Sequence, residues 1–182
     1  KKGEYAEFTD GVTLFNKDQS IIADTLTVNR VNTTVIANGN IHFQNKGIDI
    51  FANVLNINEQ QKTTKLTATS YQFNGSAGHG NATEINIDGN NKTLSFIDSS
   101  YTTCYDPVPD WKMRASEISI SADNKTLRAY NARFSLFDIP VMYIPYLSLP
   151  IGTERQSGFL YPTISSSSNS GLEIEIPYYM QG

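Results

Sequence analysis

A seven-residue pattern recurs four times along this chain and limits what it can fold into. Each copy begins with alanine and then alternates apolar with polar residues: Ala23–Asn29, Ala52–Asn58, Ala82–Asp88 and Ala115–Ser121. The copies start 29, 30 and 33 residues apart, and a period of about 20–50 residues is typical of stacked repeat architectures. A polar turn and a second alternating segment follow each copy. One repeat is therefore predicted to be a strand, a turn and a strand.

The hydrophobic pattern favours an all-β fold. Apolar residues alternate with polar ones over most of the chain, and no stretch of about a dozen residues shows the spacing of an amphipathic helix. Gly11 and Gly39 each precede an alternating segment, where a glycine often marks a bulge or a bend. Short strands that stack and bend at corners form a β-jelly roll or a β-solenoid.

Residues of the same parity in each strand face one side of the sheet. The inward set is predicted to be Leu26, Val28, Ile41, Phe43, Leu55, Ile57, Leu66, Ala68, Tyr71, Phe73, Ile85, Ile87, Leu94, Phe96, Ile118, Ile120 and Leu127. This set fits a closed apolar core, and it equally fits two sheets that splay apart and leave an apolar groove for lipid chains. Periodicity does not distinguish the two.

The sequence changes character after residue 138. Pro140, Pro145 and Pro150 recur every five residues within an apolar run, and each removes a backbone donor and fixes φ. Such a run excludes a central strand or a straight helix, and it is too broken for a transmembrane helix, which needs about 20 apolar residues. We predict a β-domain over residues 1–138, a stiff extended connector over 139–156 and a further hairpin over 157–182.

Charge and motifs argue against several classes of function. The chain has 14 Lys and Arg against 18 Asp and Glu and no basic run. It therefore lacks the cluster of basic residues that is typical of nucleic-acid-binding proteins. It contains neither a G-x-x-x-x-G-K-[ST] phosphate loop nor a G-x-S-x-G nucleophile motif. His42 and His79 lie far apart and do not suggest a metal site. We predict a protein that is not an enzyme and that uses no cofactor or metal.

Two resemblances to known families follow from these residues. The repeats resemble the OstA-type β-jelly-roll modules of the lipopolysaccharide transport bridge. A second set of short segments stands in the C-terminal half: Tyr101–Cys104, Trp111, Ala115–Glu117, Asn131–Phe134, Pro140–Tyr143, Pro145–Leu147, Leu149–Pro150 and Arg155–Pro162. Through these segments, residues 100–182 resemble the place where the outer-membrane lipopolysaccharide-assembly family (LptD, or OstA) passes from its periplasmic domain into its barrel. This second resemblance is close over residues 100–182, whereas the repeats cover residues 5–130 more loosely.

The family resemblance implies a fold and a function. The fold would be an OstA-type β-jelly roll of two splayed sheets, followed by a proline-rich junction and the first hairpin of a transmembrane β-barrel. The function would be lipopolysaccharide transport and insertion into the outer leaflet of the outer membrane, with acyl chains held by the inward set. The partners would be lipopolysaccharide, an LptE-like lipoprotein plug and an LptA-like bridge protein of similar fold. The jelly roll would stand in the periplasm, at the outer membrane.

Three further residues acquire roles from the same resemblance. Pro162 and Pro177 correspond to prolines of the first two barrel strands, which weaken the strand ladder at a lateral gate. Cys104, the single cysteine, corresponds to a position in a disulfide that ties jelly roll to barrel. Its partner would lie beyond Gly182, which agrees with our expectation that the chain is an excised part of a longer protein.

Other functions remain open at this level. A bridge-type lipopolysaccharide carrier without a barrel would share the repeats. A structural β-stack could assemble through exposed edge strands. A polysaccharide-active enzyme would need convergent carboxylates, and Asp24, Glu84 and Glu117 occupy similar repeat positions without forming an evident pair.

Overall fold

A computed structural model describes residues 4–16, 19–105, 108–123, 125–150, 158–159, 163–167, 171–175 and 178–179. Within these residues it contains sixteen β-strands and no helix, which confirms the predicted all-β class. The strands are β1 (Tyr5–Phe8), β2 (Val12–Asn16), β3 (Gln19–Ala23), β4 (Thr25–Asn29), β5 (Thr34–Asn45), β6 (Ile48–Asn58), β7 (Thr63–Phe73), β8 (His79–Asp88), β9 (Thr93–Tyr101), β10 (Trp111–Ser121), β11 (Thr126–Leu136), β12 (Ile139–Pro150), β13 (Gly158–Phe159), β14 (Thr163–Ser167), β15 (Gly171–Glu175) and β16 (Tyr178–Tyr179).

Strands β1 to β12 form one antiparallel sheet in which each strand from β4 to β12 pairs with the next along the chain. The four short N-terminal strands correspond to two bent strands: β1 and β2 are the two halves of the first, and β3 and β4 are the two halves of the second. β1 pairs with β4 and β2 pairs with β3, while β3 and β4 both pair with β5. The sheet is therefore about ten strands wide.

Each long strand bends once near its middle, and the bends align across the sheet. Asn40, Ala68, Asp98 and Asn131 have positive φ values of 43, 54, 43 and 52°, which non-glycine residues rarely adopt. Regular pairing is interrupted where they lie; Ala68, for example, stands between the pairs Thr67↔Glu84 and Thr69↔Ala82. These aligned bends, which we call the fold line, turn the sheet back on itself.

Small side chains occupy the inner side of the fold line. They are Ala23, Ala52, Thr69, Ala82, Ser99, Ala115 and Ala132, each at most 6% exposed. Many of them are direct partners across strands, such as Thr69 with Ala82 and Ser99 with Ala115. The inner side of a sharp bend has room only for small groups. The alanine that opens each sequence repeat is one of these inner residues. One repeat of about 30 residues therefore corresponds to two bent strands.

The fold line divides the sheet into two facing layers. The first layer contains the strand halves that end in the repeated polar turns, and the second contains the other halves. Tyr71 lies beyond the bend of β7 and Phe96 before the bend of β9, yet their ring centroids are only 4.6 Å apart. Both side chains are buried. The predicted pair of short-stranded sheets is thus corrected to one sheet of long strands folded over its own core.

Turns form after the sequence repeats, where polar turns are predicted. Asn29, Asn58 and Asp88 accept hydrogen bonds from backbone N–H groups two or three residues later, which is how Asx residues stabilise turns. Lys62 and Lys92 close their turns with positive φ values of 52 and 46°.

The proline-rich segment differs from the predicted connector. Ile139–Pro150 is β12, which pairs with β11 from Leu136↔Ile139 to Thr126↔Pro150. It is the last strand of the sheet, and an edge strand tolerates prolines because it has no second neighbour to bond. The exclusion of a central strand is confirmed, but the sheet extends past residue 138. Residues 151–156 of the predicted connector lie outside the described residues.

The C-terminal strands pair apart from the main sheet. β13 pairs with β16 and β14 with β15, both antiparallel. These ladders fall within residues 157–182, and the assignment of that range to the first hairpin of a further domain stays a prediction. Pro162 and Pro177, the predicted gate residues, lie outside the described residues. In the part of the chain that the structure describes, no helix is long and apolar enough to cross a membrane.

Candidate functional site

Two rows of apolar side chains run across the inside of the first layer, perpendicular to the strands. The row next to the fold line, here called the buried row, is at most 5% exposed. It consists of Leu26, Ala37, Leu55, Leu66, Ile85, Phe96, Ile118 and Ala129. Each member is the direct cross-strand partner of the next. The row is therefore continuous from β4 to β11.

The second row lies two residues further from the fold line in every strand. This lip row consists of Val28, Val35, Ile57, Thr64, Ile87, Leu94, Ile120, Leu127 and Leu149, all of them half-buried. Its members are also direct partners, from Val28↔Val35 to Leu127↔Leu149. Nine strands at about 4.8 Å spacing make the row about 38 Å long. The two rows form an apolar trough that is closed at the fold line and partly open at the lip.

Aromatic side chains form much of the opposite wall, in the second layer. Phe73, Tyr101, Trp111 and Phe134 make successive ring contacts at 6.4, 5.8 and 5.7 Å between centroids. Tyr71 joins them through Phe73, at 5.5 Å. The wall is mostly aliphatic toward the N-terminal edge, where Ile21, Ile41, Phe43, Ile48 and Ile50 are buried.

Tyr71 is locked in place across strand β8. Its hydroxyl donates a hydrogen bond of 2.8 Å to the backbone carbonyl of Ser100 in β9. Gly80, directly opposite Tyr71 in β8, makes this possible, because a Cβ at residue 80 would overlap the Ser100 carbonyl oxygen. Burial, with a smaller effect of Tyr101, raises the pKa of Tyr71 above its ordinary value. Tyr71 therefore stays a neutral donor inside the core.

Apart from Ala68, the structure turns every residue of the predicted inward set toward the interior. Buried are Leu26, Ile41, Phe43, Leu55, Leu66, Tyr71, Ile85, Phe96 and Ile118. Half-buried against them are Val28, Ile57, Phe73, Ile87, Leu94 and Ile120, together with Leu127. Their inward direction is confirmed, whereas their contact with lipid stays a prediction.

Ala68, which parity also placed inside, is the exception. It is exposed at the fold line, and Thr69 takes the inner position with 4% exposure. The bend shifts the alternation of β7 by one residue, and simple parity cannot anticipate this shift.

Sequence reasoning missed several members of the trough. Val35 and Leu149 complete the lip row, and Trp111 and Phe134 extend the aromatic wall. Ile48 and Ile50 alternate within β6 and could have been found by extending the inward pattern before Ala52.

The candidate acidic residues do not come together as a catalytic pair. Glu84 accepts a hydrogen bond from Lys65 that holds the pKa of Glu84 below its ordinary value, with Asn86 as a further donor. Asp24 instead accepts a hydrogen bond from Asn40. Glu84 and Glu117 both pair with Ile97, from opposite sides, so strand β9 separates them. A lowered pKa suits a structural ion pair better than a general acid.

Cys104 and the histidines have local contacts. Cys104 is a half-buried thiol after β9, and its backbone N–H donates to the Thr102 hydroxyl at 3.1 Å. The ring of His79 stacks on Tyr105, and His42 stacks on Phe51. Among the residues placed by the structure, no group of three or more His, Cys, Asp or Glu could hold a metal ion.

The two edges of the sheet differ in character. At the N-terminal edge, β1 and β2 each pair on one side only, and no proline occurs between Tyr5 and Asn16. Tyr5 and Phe15 are 64 and 83% exposed there. The opposite edge is β12 with its three prolines. The unpaired side of these edge strands and their exposed aromatic side chains make the N-terminal edge the better surface for adding a strand.

Comparisons with known proteins agree on one family. A family model described as "LptA/(LptD N-terminal domain) LPS transport protein" matches residues 20–126. LPS-assembly protein LptD of Shewanella oneidensis is 33% identical over 177 residues, and that of Idiomarina loihiensis 34% over 176. Both comparisons cover 97% of this chain but only 23% of the relative. The chain thus spans about a quarter of the length of these relatives.

Solved structures are also similar, among them the crystal structure of LptH from Pseudomonas aeruginosa, described as the LptA homologous periplasmic component of the conserved lipopolysaccharide transport device. The match has a TM-score of 0.41 and 6% sequence identity, and it covers 64% of this chain and 75% of that one.

Proposed function

Because the chain belongs to the family formed by LptA and the LptD N-terminal domain, we propose that it carries lipopolysaccharide by holding the acyl chains along the apolar trough. The observation that carries this proposal is the unbroken lip row, in which nine neighbouring strands each offer a half-buried side chain on one line. This line runs from β4 to β12, so it can guide a chain across nine neighbouring strands of the sheet.

Elementary energetics support this use of the trough. Each CH₂ group moved from water into an apolar site gains about 0.8 kcal/mol, so acyl chains do not cross an aqueous space unprotected. The lip row keeps part of its apolar surface exposed, and a lipid chain can cover it. Of its nine members only Thr64 is polar, and a site with few polar anchors lets its cargo move along.

We propose that cargo enters at the N-terminal edge. An LptA-like bridge protein of similar fold would add its edge strand to β1 and β2 and so extend both the sheet and the trough. At the opposite edge, the prolines of β12 discourage further strand addition and direct the chain onward to residues 157–182.

The remaining roles follow from the family resemblance. Residues 157–182 would begin a transmembrane β-barrel plugged by an LptE-like lipoprotein, with the jelly roll on the periplasmic side of the outer membrane. Pro162 and Pro177 would weaken the seam of a lateral gate, because each removes one ladder donor. Cys104 would form a disulfide with a cysteine beyond Gly182.

Site-specific photocrosslinking tests the trough. A benzophenone amino acid is placed at the lip residues Ile57 and Leu127, and at their neighbours Asn56 and Arg128, which are exposed on the outer face of the same strands. After irradiation of the full chain with lipopolysaccharide, adducts are expected at 57 and 127 but not at 56 and 128. Equal labelling of both pairs, or labelling of the outer pair alone, would contradict the proposal.

A structural β-stack is the second candidate, favoured by the open N-terminal edge with exposed Tyr5 and Phe15. On that reading, an additional crosslinker in β1 captures a second copy of the chain, while the lip positions give no lipid adduct. The presence or absence of lipid adducts at residues 57 and 127 therefore separates the two functions.

A further inference from the structure

A polar groove lies on the outside of the fold line, on the face of the sheet opposite to the trough. Its main cleft has a volume of about 580 Å³ and spans β9 to β12. The outward-facing residues that matter in it are Asp98, Arg114, Asn131, Arg133 and Tyr143. An adjoining cleft of about 380 Å³ shares Asp98, Ser99 and Arg114. The main cleft falls in the range of about 300–1,000 Å³ that is usual for small-molecule sites.

Two arginines stand side by side in this groove. Arg114 and Arg133 are direct partners across β10 and β11, which brings their Cβ atoms to about 4.5–5.5 Å. Like charges so placed destabilise a sheet, and neither guanidinium forms an ion pair with any residue of the described part of the chain. An anion bound between them would remove this repulsion. Guanidinium groups bind phosphate with paired, planar hydrogen bonds.

A fixed aromatic ring lies next to the arginines. Tyr143 is the cross-strand partner of Arg133, whose guanidinium carbon is 5.9 Å from the ring centroid. The Tyr143 hydroxyl donates to Asn131 Oδ1 at 2.7 Å, and Asn131 Nδ2 donates to Ser116 Oγ at 3.1 Å. The ring is thus held in one orientation, yet the residue stays 54% exposed. A ring held in this way can support the apolar face of a sugar.

Ser99 lies at the floor where the two clefts meet. It is 3% exposed and its side chain faces the inner side of the fold line, so its hydroxyl does not face the groove. The carboxylates of Asp98 and Asp138, which also line the groove, can accept hydrogen bonds from sugar hydroxyls.

From this arrangement we propose that the groove binds a phosphorylated sugar, with the phosphate between Arg114 and Arg133 and the sugar ring against Tyr143. The site is separate from the trough, because the sheet itself lies between them. Its ligand is therefore recognised by polar chemistry and not through acyl chains.

Calorimetric titration of the full 182-residue chain with glucose 6-phosphate tests the site. Saturable binding is expected, and Arg114→Met or Arg133→Met should weaken it at least about tenfold, or ~1.4 kcal/mol. Arg128→Met is the matched control, since Arg128 is exposed on β11 but lies outside the groove; it should leave the affinity within about twofold. Tyr143→Ala should weaken glucose 6-phosphate without changing the response to inorganic phosphate.

Specific results would overturn the proposal. They are an absence of saturable binding up to about 10 mM glucose 6-phosphate, inorganic phosphate or glucose binding as tightly as the sugar phosphate, or an equal loss in Arg128→Met. Urea unfolding of each variant checks folding, and removal of one member of a like-charged pair is expected not to lower stability. The crosslinking at the lip row does not involve these residues, so the failure of one proposal leaves the other standing.

Discussion

Replacement of Gly80 by alanine is expected to destabilise the folded sheet by about 2–4 kcal/mol. The added Cβ would overlap the Ser100 carbonyl oxygen and lie 2.8 Å from its carbon and 3.0 Å from the Tyr71 hydroxyl oxygen. A backbone carbonyl in the middle of a sheet cannot rotate away without breaking its own contacts. Strand β9 must therefore shift relative to β8.

Two contributions make up the expected loss of stability in Gly80→Ala. Forcing a methyl group into a packed interior costs about 1–3 kcal/mol. Displacement of the Ser100 carbonyl also weakens the 2.8 Å hydrogen bond from Tyr71, and a bond of this kind contributes about 0.5–1.5 kcal/mol. Gly47→Ala is the matched control, because its Cβ would meet nothing nearer than Asn45 Oδ1 at 3.6 Å. That variant should change stability by less than about 0.5 kcal/mol.

Urea denaturation of the full chain, followed by circular dichroism, measures both variants. A double-mutant cycle with Tyr71→Phe adds a sharper test, since the combined loss should be smaller than the sum if both changes break the same hydrogen bond. Equal stability of Gly80→Ala and Gly47→Ala would refute the reasoning. Strict additivity with Tyr71→Phe would show that the Ser100 carbonyl is not the point of strain.

Two further predictions concern residues on the outer face. The hydrogen bond from Lys65 lowers the pKa of Glu84 below 4.5, so its stabilising contribution is present above that pH and is lost as the pH falls through the lowered pKa. Urea midpoints measured between about pH 5 and 3 should therefore fall less steeply in Glu84→Gln than in the parent, and identical slopes would contradict the role of the pair. Ala68→Gly should raise the free energy of unfolding by about 0.5–1 kcal/mol, because alanine at a φ of 54° is strained and glycine is not. Ala129→Gly, at a buried position of regular strand, should lower the free energy of unfolding. A lower free energy of unfolding in both variants would show that the positive φ at Ala68 does not destabilise the fold.

Local alternation predicted much of the fold from the sequence. Leu55 and Ile57 face inward because residues two apart in a strand share a face, and this rule held within the straight halves of the strands. It failed at Ala68, where the bend inserts a shift of one residue. The position of the bend was nevertheless encoded, since the alanine that opens each repeat is the small inner residue of the fold line.

Long-range geometry could not be predicted in the same way. The contact of Tyr71 with Phe96 depends on the sheet closing over itself, and no pattern within one strand reports this. The prolines of β12 were correctly excluded from a central strand, but they could not reveal that β12 still pairs with β11 as an edge. The pairing of Arg114 with Arg133 depends on the register between β10 and β11, which the intervening turn sets.

The fold line explains why one sheet provides both an apolar and a polar surface. Inside the first layer, exposure is low near the bend, at 6% for Ala52 and 0% for Leu55, and rises at the half-buried Ile57 further out. A closed barrel would bury both rows alike, whereas a sheet folded along one line opens only on the far side. The trough is thus graded, with a sealed floor that stabilises the fold and a lip that is left available to cargo.

On the outer side the same bends turn alternate residues outward, among them Asp98 and Asn131, and so supply polar groups to the outer groove. Any substitution that straightened the bends would therefore be expected to close the outer groove and flatten the trough together.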